Sequence, residues 1–193
     1  MDRLYHDPDL VQFYDHDNGW GADDAFCLSL AKGRARILDL GCGTGRLATG
    51  LALSGRHDVT GVDPARSMLD VASGKRGGDL VRWIEDDART ARLGEKFDLI
   101  VMTGHAFQCF LTDEERAAGL ATIAAHLATE GLFIFDSRNP VAREWEEWVP
   151  ERSRETTQHA RFGRVTSWND VAWDDTRQVA AYDTFYRIER DGR

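Results

Sequence analysis

Two periodicities alternate along the chain. Apolar runs of strand length are separated by stretches whose apolar residues recur every three to four positions. ARILDL (35–40), DVTGVD (58–63), LVRWIE (80–85), KFDLIVM (96–102) and GLFIFDS (131–137) predict five strands. RLATGLALSG (46–55), ARSMLDVASGK (65–75) and TDEERAAGLATIAAHLA (112–128) predict helices. Gly55 marks the expected end of the first of these helices. Thr112, with Glu115 three residues on, predicts a capping box at the start of the last.

Strands that alternate with helices predict an α/β fold, a doubly wound and mostly parallel sheet. The continuous apolar cores ILDL, LIVM and LFIF suit a sheet covered on both faces. Before this core, residues 3–32 read as two short helices split by the turn-forming DHDNGWG. After Pro140 the texture changes. REWEEW (143–148) predicts a short amphipathic helix, and RFGRVTSWNDVAW with RQVAAYDTFYRIE predicts antiparallel strands joined at DDTR. Three parts follow: an N-terminal helical lid (1–34), a ligand-binding core (35–140) and an antiparallel segment (141–193) whose aromatics form either a substrate lid or that sheet's own core.

A length of 193 residues with 42% hydrophobic content suits one compact core with a small appendage. The net charge of -9 and the lack of a basic run disfavour nucleic acid and anionic membrane surfaces. Cys27, Cys42 and Cys109 are widely spaced, without a CxxC pair, so neither a disulfide framework nor a metal site is expected. The N-terminal stretch has no apolar signal-peptide region, and no apolar run reaches the length of a membrane span. The expectation is a cytoplasmic protein.

The chemistry concentrates in GCGTGR, after the first strand. Gly41, Gly43 and Gly45 have G-x-G-x-G spacing, and Arg46 stands where a dinucleotide site needs its third glycine. No G-K-[ST] follows, which excludes a Walker loop. Asp39 ends the first strand and suits an ammonium group rather than a phosphate. Asp63 ends the second, where an acid can accept from both hydroxyls of a ribose. The loop therefore predicts a nucleoside with a cationic amino-acid part and no phosphate.

In these residues the sequence resembles the class I S-adenosylmethionine-dependent methyltransferases. ILDLGCGTGRLA, VTGVDPARSML, WIEDDART, FDLIVMTGHAFQCF and LATEGLFIFDSRNP are similar, in order, to that family's successive motifs. The resemblance implies S-adenosylmethionine as cofactor, S-adenosylhomocysteine as product, and the following roles. Gly41 and Gly43, with Cys42 and Gly45 in the same loop, pack against the methionine part. Asp39 holds the loop or the amino group, and Asp63 holds the ribose hydroxyls. Pro64 and Met68 flank the adenine. Asp87, followed by Ala88, faces its amino group, with Asp86 as competitor for that role. Thr103 to His105 lie beside the methionine part and the acceptor pocket, and Tyr14 and Trp20 cover the cofactor.

His105 is the candidate general base, and His57 and His126 read as structural. Arg46 reads as solvated. TGHA replaces the DPPY or NPPY tetrapeptide of amino-methylating nucleic-acid enzymes, so the acceptor expected is a small molecule. Two features depart from the family. No counterpart of its sixth and seventh strands is found, and the terminal DG turn signal has no partner strand after it. A chain truncated relative to the family leaves the fifth strand as an open apolar edge, for the C-terminal strands or a second subunit to cover. That departure motivates the alternative of a cofactor-binding protein without catalysis.

Overall fold

The computed structural model describes residues 3–55 and 57–189, so the terminal Asp191-Gly192 turn signal lies outside the described residues. The described residues fall into two compact units, divided between Ser137 and Arg138.

The first unit carries three helices before the sheet, α1 (Arg3–His6), α2 (Val11–Asp17) and α3 (Ala22–Leu30). This corrects the expectation of two, and the DHD of the predicted turn lies inside α2. Asp15 is held there from outside the helix, by the Thr44 hydroxyl at 2.5 Å and the Lys75 ammonium at 2.6 Å. Tertiary contacts thus override the local turn preference.

β1 (Arg36–Leu40), α4 (Arg46–Ser54), β2 (Asp58–Asp63), α5 (Arg66–Gly74), β3 (Val81–Glu85), β4 (Phe97–Met102), α6 (Asp113–His126) and β5 (Leu127–Phe135) follow. All pairings are parallel and the order is β3-β2-β1-β4-β5. Successive residues of β1 serve opposite faces, as the pleat requires. Ile37 joins a core with Leu47, Ala48 and Leu51 of α4. Leu38 and Leu40 join another with Phe97, Ile100, Phe110 and Ile123. Both faces are therefore covered, as the apolar strands predict.

The capping box forms: Glu115 N–H donates to Thr112 Oγ1 at 3.2 Å, and Thr112 N–H donates to Glu115 Oε2 at 3.3 Å. β5 departs from expectation by starting at Leu127, directly after α6. Phe97 pairs with Leu127 and Leu99 with Leu132, so β5 carries three extra residues across that shift, with Glu130 at φ +63.

The second unit is a separate antiparallel sheet, order β6-β7-β8, built from β6 (Glu155–His159), β7 (Gly163–Asp174) and β8 (Val179–Ile188). The chain turns between β7 and β8 where Asp174 Oδ1 accepts the Thr176 and Arg177 N–H groups, each at 3.0 Å. β6 was not legible in the sequence, and the REWEEW stretch forms a 3-10 turn rather than an α-helix. Trp145 stacks on Trp173 at 4.4 Å and Trp168 on Phe185 at 5.4 Å, so these aromatics pack within their own unit. The three strands pair only with one another, so none extends the first sheet beyond β5. No helix among the described residues is long and apolar enough to cross a membrane.

Candidate functional site

β1 connects through α4 to β2 on one side, while β4 lies on its other side. The strand order reverses there, and open α/β sheets bind ligands outside the carboxyl ends at such a point. The loop 41–45 leaves β1 and the loop 103–105 leaves β4 at this place. Gly41, Gly43 and Gly45 have φ of +79, +52 and +72, in the left-handed region that favours glycine.

Four of the five loop amides are spoken for. Gly41 and Cys42 N–H donate to the Val62 carbonyl at 2.8 and 3.0 Å, and Gly45 N–H to the Cys42 carbonyl at 2.9 Å. Gly43 N–H donates to Asp63 Oδ2 at 2.8 Å. A diphosphate site needs such amides free to face its oxygens. This loop spends four of them on its own fold, so a phosphate-bearing ligand does not suit it.

A cleft opens beside the loop. Tyr14 of α2, Asp39, Gly41, Cys42, Thr44, Arg46 and Leu47 bound one side, and Thr103 and Gly104 the other. Asp39 is buried, and burial, then the charge of Asp63, pushes its carboxyl up to about 7. Burial also raises Asp63, against the two N–H groups that hold it, Ala65 at 2.9 Å and Gly43. Burial drives the Cys42 thiol well above its ordinary value, so it stays a neutral thiol. Two acids whose charge burial disfavours, one of them further raised by the other, favour a cationic neighbour. These groups fit the ammonium and sulfonium of S-adenosylmethionine better than an anion.

The expected residues separate into two groups. Asp39, Gly41, Cys42, Thr103 and Tyr14 come together around the cleft. Asp63 adjoins it through Gly43, and its neighbour Pro64 is half-buried. Ala88, after β3, is buried in the core shared with Val62.

Four residues have other partners than expected. Met68 is 1% exposed and packs with Val11 and Ala65 under the N-terminal helices, so it is a core side chain. The Trp20 indole lies on the backbone of α4, where a Cβ on Gly50 would meet it at 2.6 Å. Gly45 faces Trp83 and Ala72 rather than the cleft. Asp87 accepts Arg89 Nε at 2.9 Å, and this guanidinium holds its carboxyl below the usual carboxylate range. Arg89 also pairs with Glu115.

Sequence reasoning missed two features. Arg46 is not solvated: it donates to the Gly19 carbonyl at 2.8 Å and pairs with Asp24, whose side chain is fully buried. Asp136, at the end of β5, accepts the N–H groups of Gly104 and His105 at 3.0 and 2.7 Å. An acid just after an apolar strand is the signal that could have found it. His126 is structural as expected: its Nε2 accepts the Leu93 N–H at 2.9 Å. His57 is too, with Nδ1 2.8 Å from the Arg34 carbonyl.

Residues 37–131 match the family described as a methyltransferase domain. The cypemycin N-terminal methyltransferase of a Streptomyces species is 36% identical over 104 residues, 54% of this chain and 42% of that protein. The sugar N-methyltransferase KedS8 from Streptoalloteichus sp ATCC 53650 has a similar structure, TM-score 0.70 at 17% identity, over 97% of this chain and 79% of that one. So has CalS10, an amino pentose methyltransferase from Micromonospora echinaspora solved with S-adenosylmethionine bound. Its TM-score is 0.62 at 24% identity, over 96% of this chain and 84% of that one. The matched stretch spans about two-fifths of the curated relatives' length.

Proposed function

We propose that the chain, whose residues 37–131 match a methyltransferase domain, is a class I S-adenosylmethionine-dependent methyltransferase that transfers a methyl group to a small-molecule acceptor. The observation that carries this reading is the glycine loop. Four of its five amides are consumed internally and two buried acids adjoin it, which suits a cationic nucleoside without phosphate.

When bound, the cofactor supplies a methyl group on a sulfonium, with the leaving group built in. The chain's own part is to hold, orient and accept a proton. Asp39 takes the cationic end. Asp63 keeps unfilled lone pairs beside its two backbone donors, which suits ribose hydroxyls. Pro64 and Ala88 lie on the adenine side. Tyr14 and the loop wall the methionine part, and Thr103 and Gly104 border the acceptor. Alignment of the nucleophile with the methyl carbon supplies on the order of 7–11 kcal/mol of the barrier. His105 accepts the proton of an amine or hydroxyl acceptor at Nε2, a step worth about 10²–10⁴-fold.

The acceptor class draws support from two of the similar structures, the sugar N-methyltransferase KedS8 and the amino pentose methyltransferase CalS10. The acidic net charge argues against nucleic acid as the acceptor. Three unpaired cysteines fit a reducing, cytoplasmic setting. The test is incubation with methyl-labelled S-adenosylmethionine and a panel of small amines and hydroxyl compounds. Formation of S-adenosylhomocysteine with a labelled acceptor upholds the reading. A folded protein that binds the cofactor but turns over no acceptor supports the non-catalytic binder instead.

A further inference from the structure

One carboxylate ties the end of β5 to the loop after β4. Asp136 Oδ2 accepts the Gly104 N–H and Oδ1 accepts the His105 N–H. His105 is held at φ +62, a conformation uncommon for a residue with a side chain, and one that persists only where the surroundings enforce it. The two hydrogen bonds to Asp136 are that enforcement. The same Oδ1 stands 3.6 Å from His105 Nδ1, too long for a hydrogen bond yet closed by a small ring rotation. Nδ1 is buried and has no hydrogen-bond partner. Buried polar atoms without partners are few in folded proteins, and each asks for an explanation.

We infer that Asp136 is the positioning residue of His105. Its carboxylate sets the loop backbone and holds the proton of the neutral ring on Nδ1, which leaves the Nε2 lone pair as the proton acceptor. The inference rests on the methyl-transfer reading for the source of that proton. As the acceptor's lone pair forms the new bond to the methyl carbon, the carbon–sulfur bond breaks onto sulfur and cancels its positive charge. The acceptor's proton passes to Nε2, and the resulting imidazolium directs Nδ1–H at Asp136. A carboxylate with a purely structural role would fix the two amides and leave the ring tautomer alone.

The tautomer is therefore the quantity to measure. Neutral histidine in water favours the proton on Nε2, and Asp136 is expected to reverse this. Two-bond proton–nitrogen correlation spectra of the ¹⁵N-histidine-labelled chain at alkaline pH read the tautomer directly. His105→Asn assigns the signals, since asparagine tolerates the left-handed backbone. The expected result is Nδ1–H in the wild type and reversion to Nε2–H in Asp136→Ala. An Nε2–H ring in the wild type overturns the inference without any variant, so it stays testable even if Asp136→Ala does not fold.

Kinetics supply the second arm. Asp136→Asn is expected to lower kcat about tenfold or more, with KM for S-adenosylmethionine little changed. It is expected to add little to His105→Asn, because the two act as one unit. Loss confined to KM, or full additivity, overturns the inference. The Nδ1–H tautomer in a protein that methylates nothing sinks the methyl-transfer reading and upholds the pairing. Methylation by a protein with the Nε2–H ring does the reverse.

Discussion

The Trp83 indole of β3 occupies the space where a Cβ on Gly45 would stand, and Ala72 of α5 closes the other side at 2.9 Å. The third glycine of the loop thus serves the packing of β3 and α5 against α4, while the cleft lies along Gly41. Gly45→Ala meets both this crowding and a φ of +72. Overpacking costs about 1–3 kcal/mol, and the left-handed backbone adds about 1–2 kcal/mol. Urea unfolding reads the sum. Gly74→Ala is the control, since nothing lies within 4 Å of its Cβ position at the end of α5, and a change near zero or slightly stabilising is expected.

Arg46 and Asp24 make a test of the anchor between α3 and the loop. The Asp24 side chain is fully buried and that of Arg46 is 25% exposed. Arg46→Met leaves a buried carboxylate without its cation, a loss of about 3–5 kcal/mol. Arg46→Met combined with Asp24→Leu replaces the pair with apolar groups and is expected to recover most of that loss. A double variant as unstable as the single one would show that Arg46 acts through some other contact.

Asp39 makes stability depend on pH in a definite direction. Below 3.8, the ordinary carboxylate value, it is protonated in both states and carries no penalty. As pH rises, the unfolded chain ionises first, while the buried group holds its proton up to about 7. The folded state therefore loses stability relative to the unfolded one across that window, at up to about 1.4 kcal/mol per pH unit, and the penalty is constant above it. The difference in unfolding free energy between wild type and Asp39→Asn isolates this group. It is expected to fall with pH up to about 7 and then level off; a flat difference would contradict the assignment.

Among the described residues β5 is the edge strand of its sheet, with no partner on its outer side, and its apolar run finishes at Phe135, 46% exposed. Such an edge invites another strand or chain. The expected outcome is self-association through this edge, with a second copy as the partner, read by light scattering and reduced by Phe135→Lys. A well-behaved monomer at all concentrations would contradict it.

Much of the first unit was legible because its signals are local. β2 spans the residues its apolar run predicts, α4 ends before Gly55, and Thr112 and Glu115 form the predicted box. The loop spacing pointed to its ligand class for a similar reason: consecutive backbone geometry is written in consecutive residues. What escaped depends on distant partners. Arg46 looked solvated because Asp24 lies 22 residues earlier in the chain, and Asp136 reaches His105 across 31 residues. β6, with the sequence ETTQH, has no apolar alternation to reveal it and is defined by its pairing with β7. Met68 was placed against the adenine because nothing local to it shows that Val11 packs on it.

The loop over Asp39 and Asp63 is expected to hold a cationic nucleoside without phosphate. Calorimetric titration of the chain with S-adenosylhomocysteine, beside NAD and an Asp63→Ala variant, tests it most directly. The expected result is saturable heat with S-adenosylhomocysteine, none with NAD, and loss or marked weakening in a variant that remains folded. No heat with S-adenosylhomocysteine from the folded wild type, or binding of NAD in its place, would contradict it.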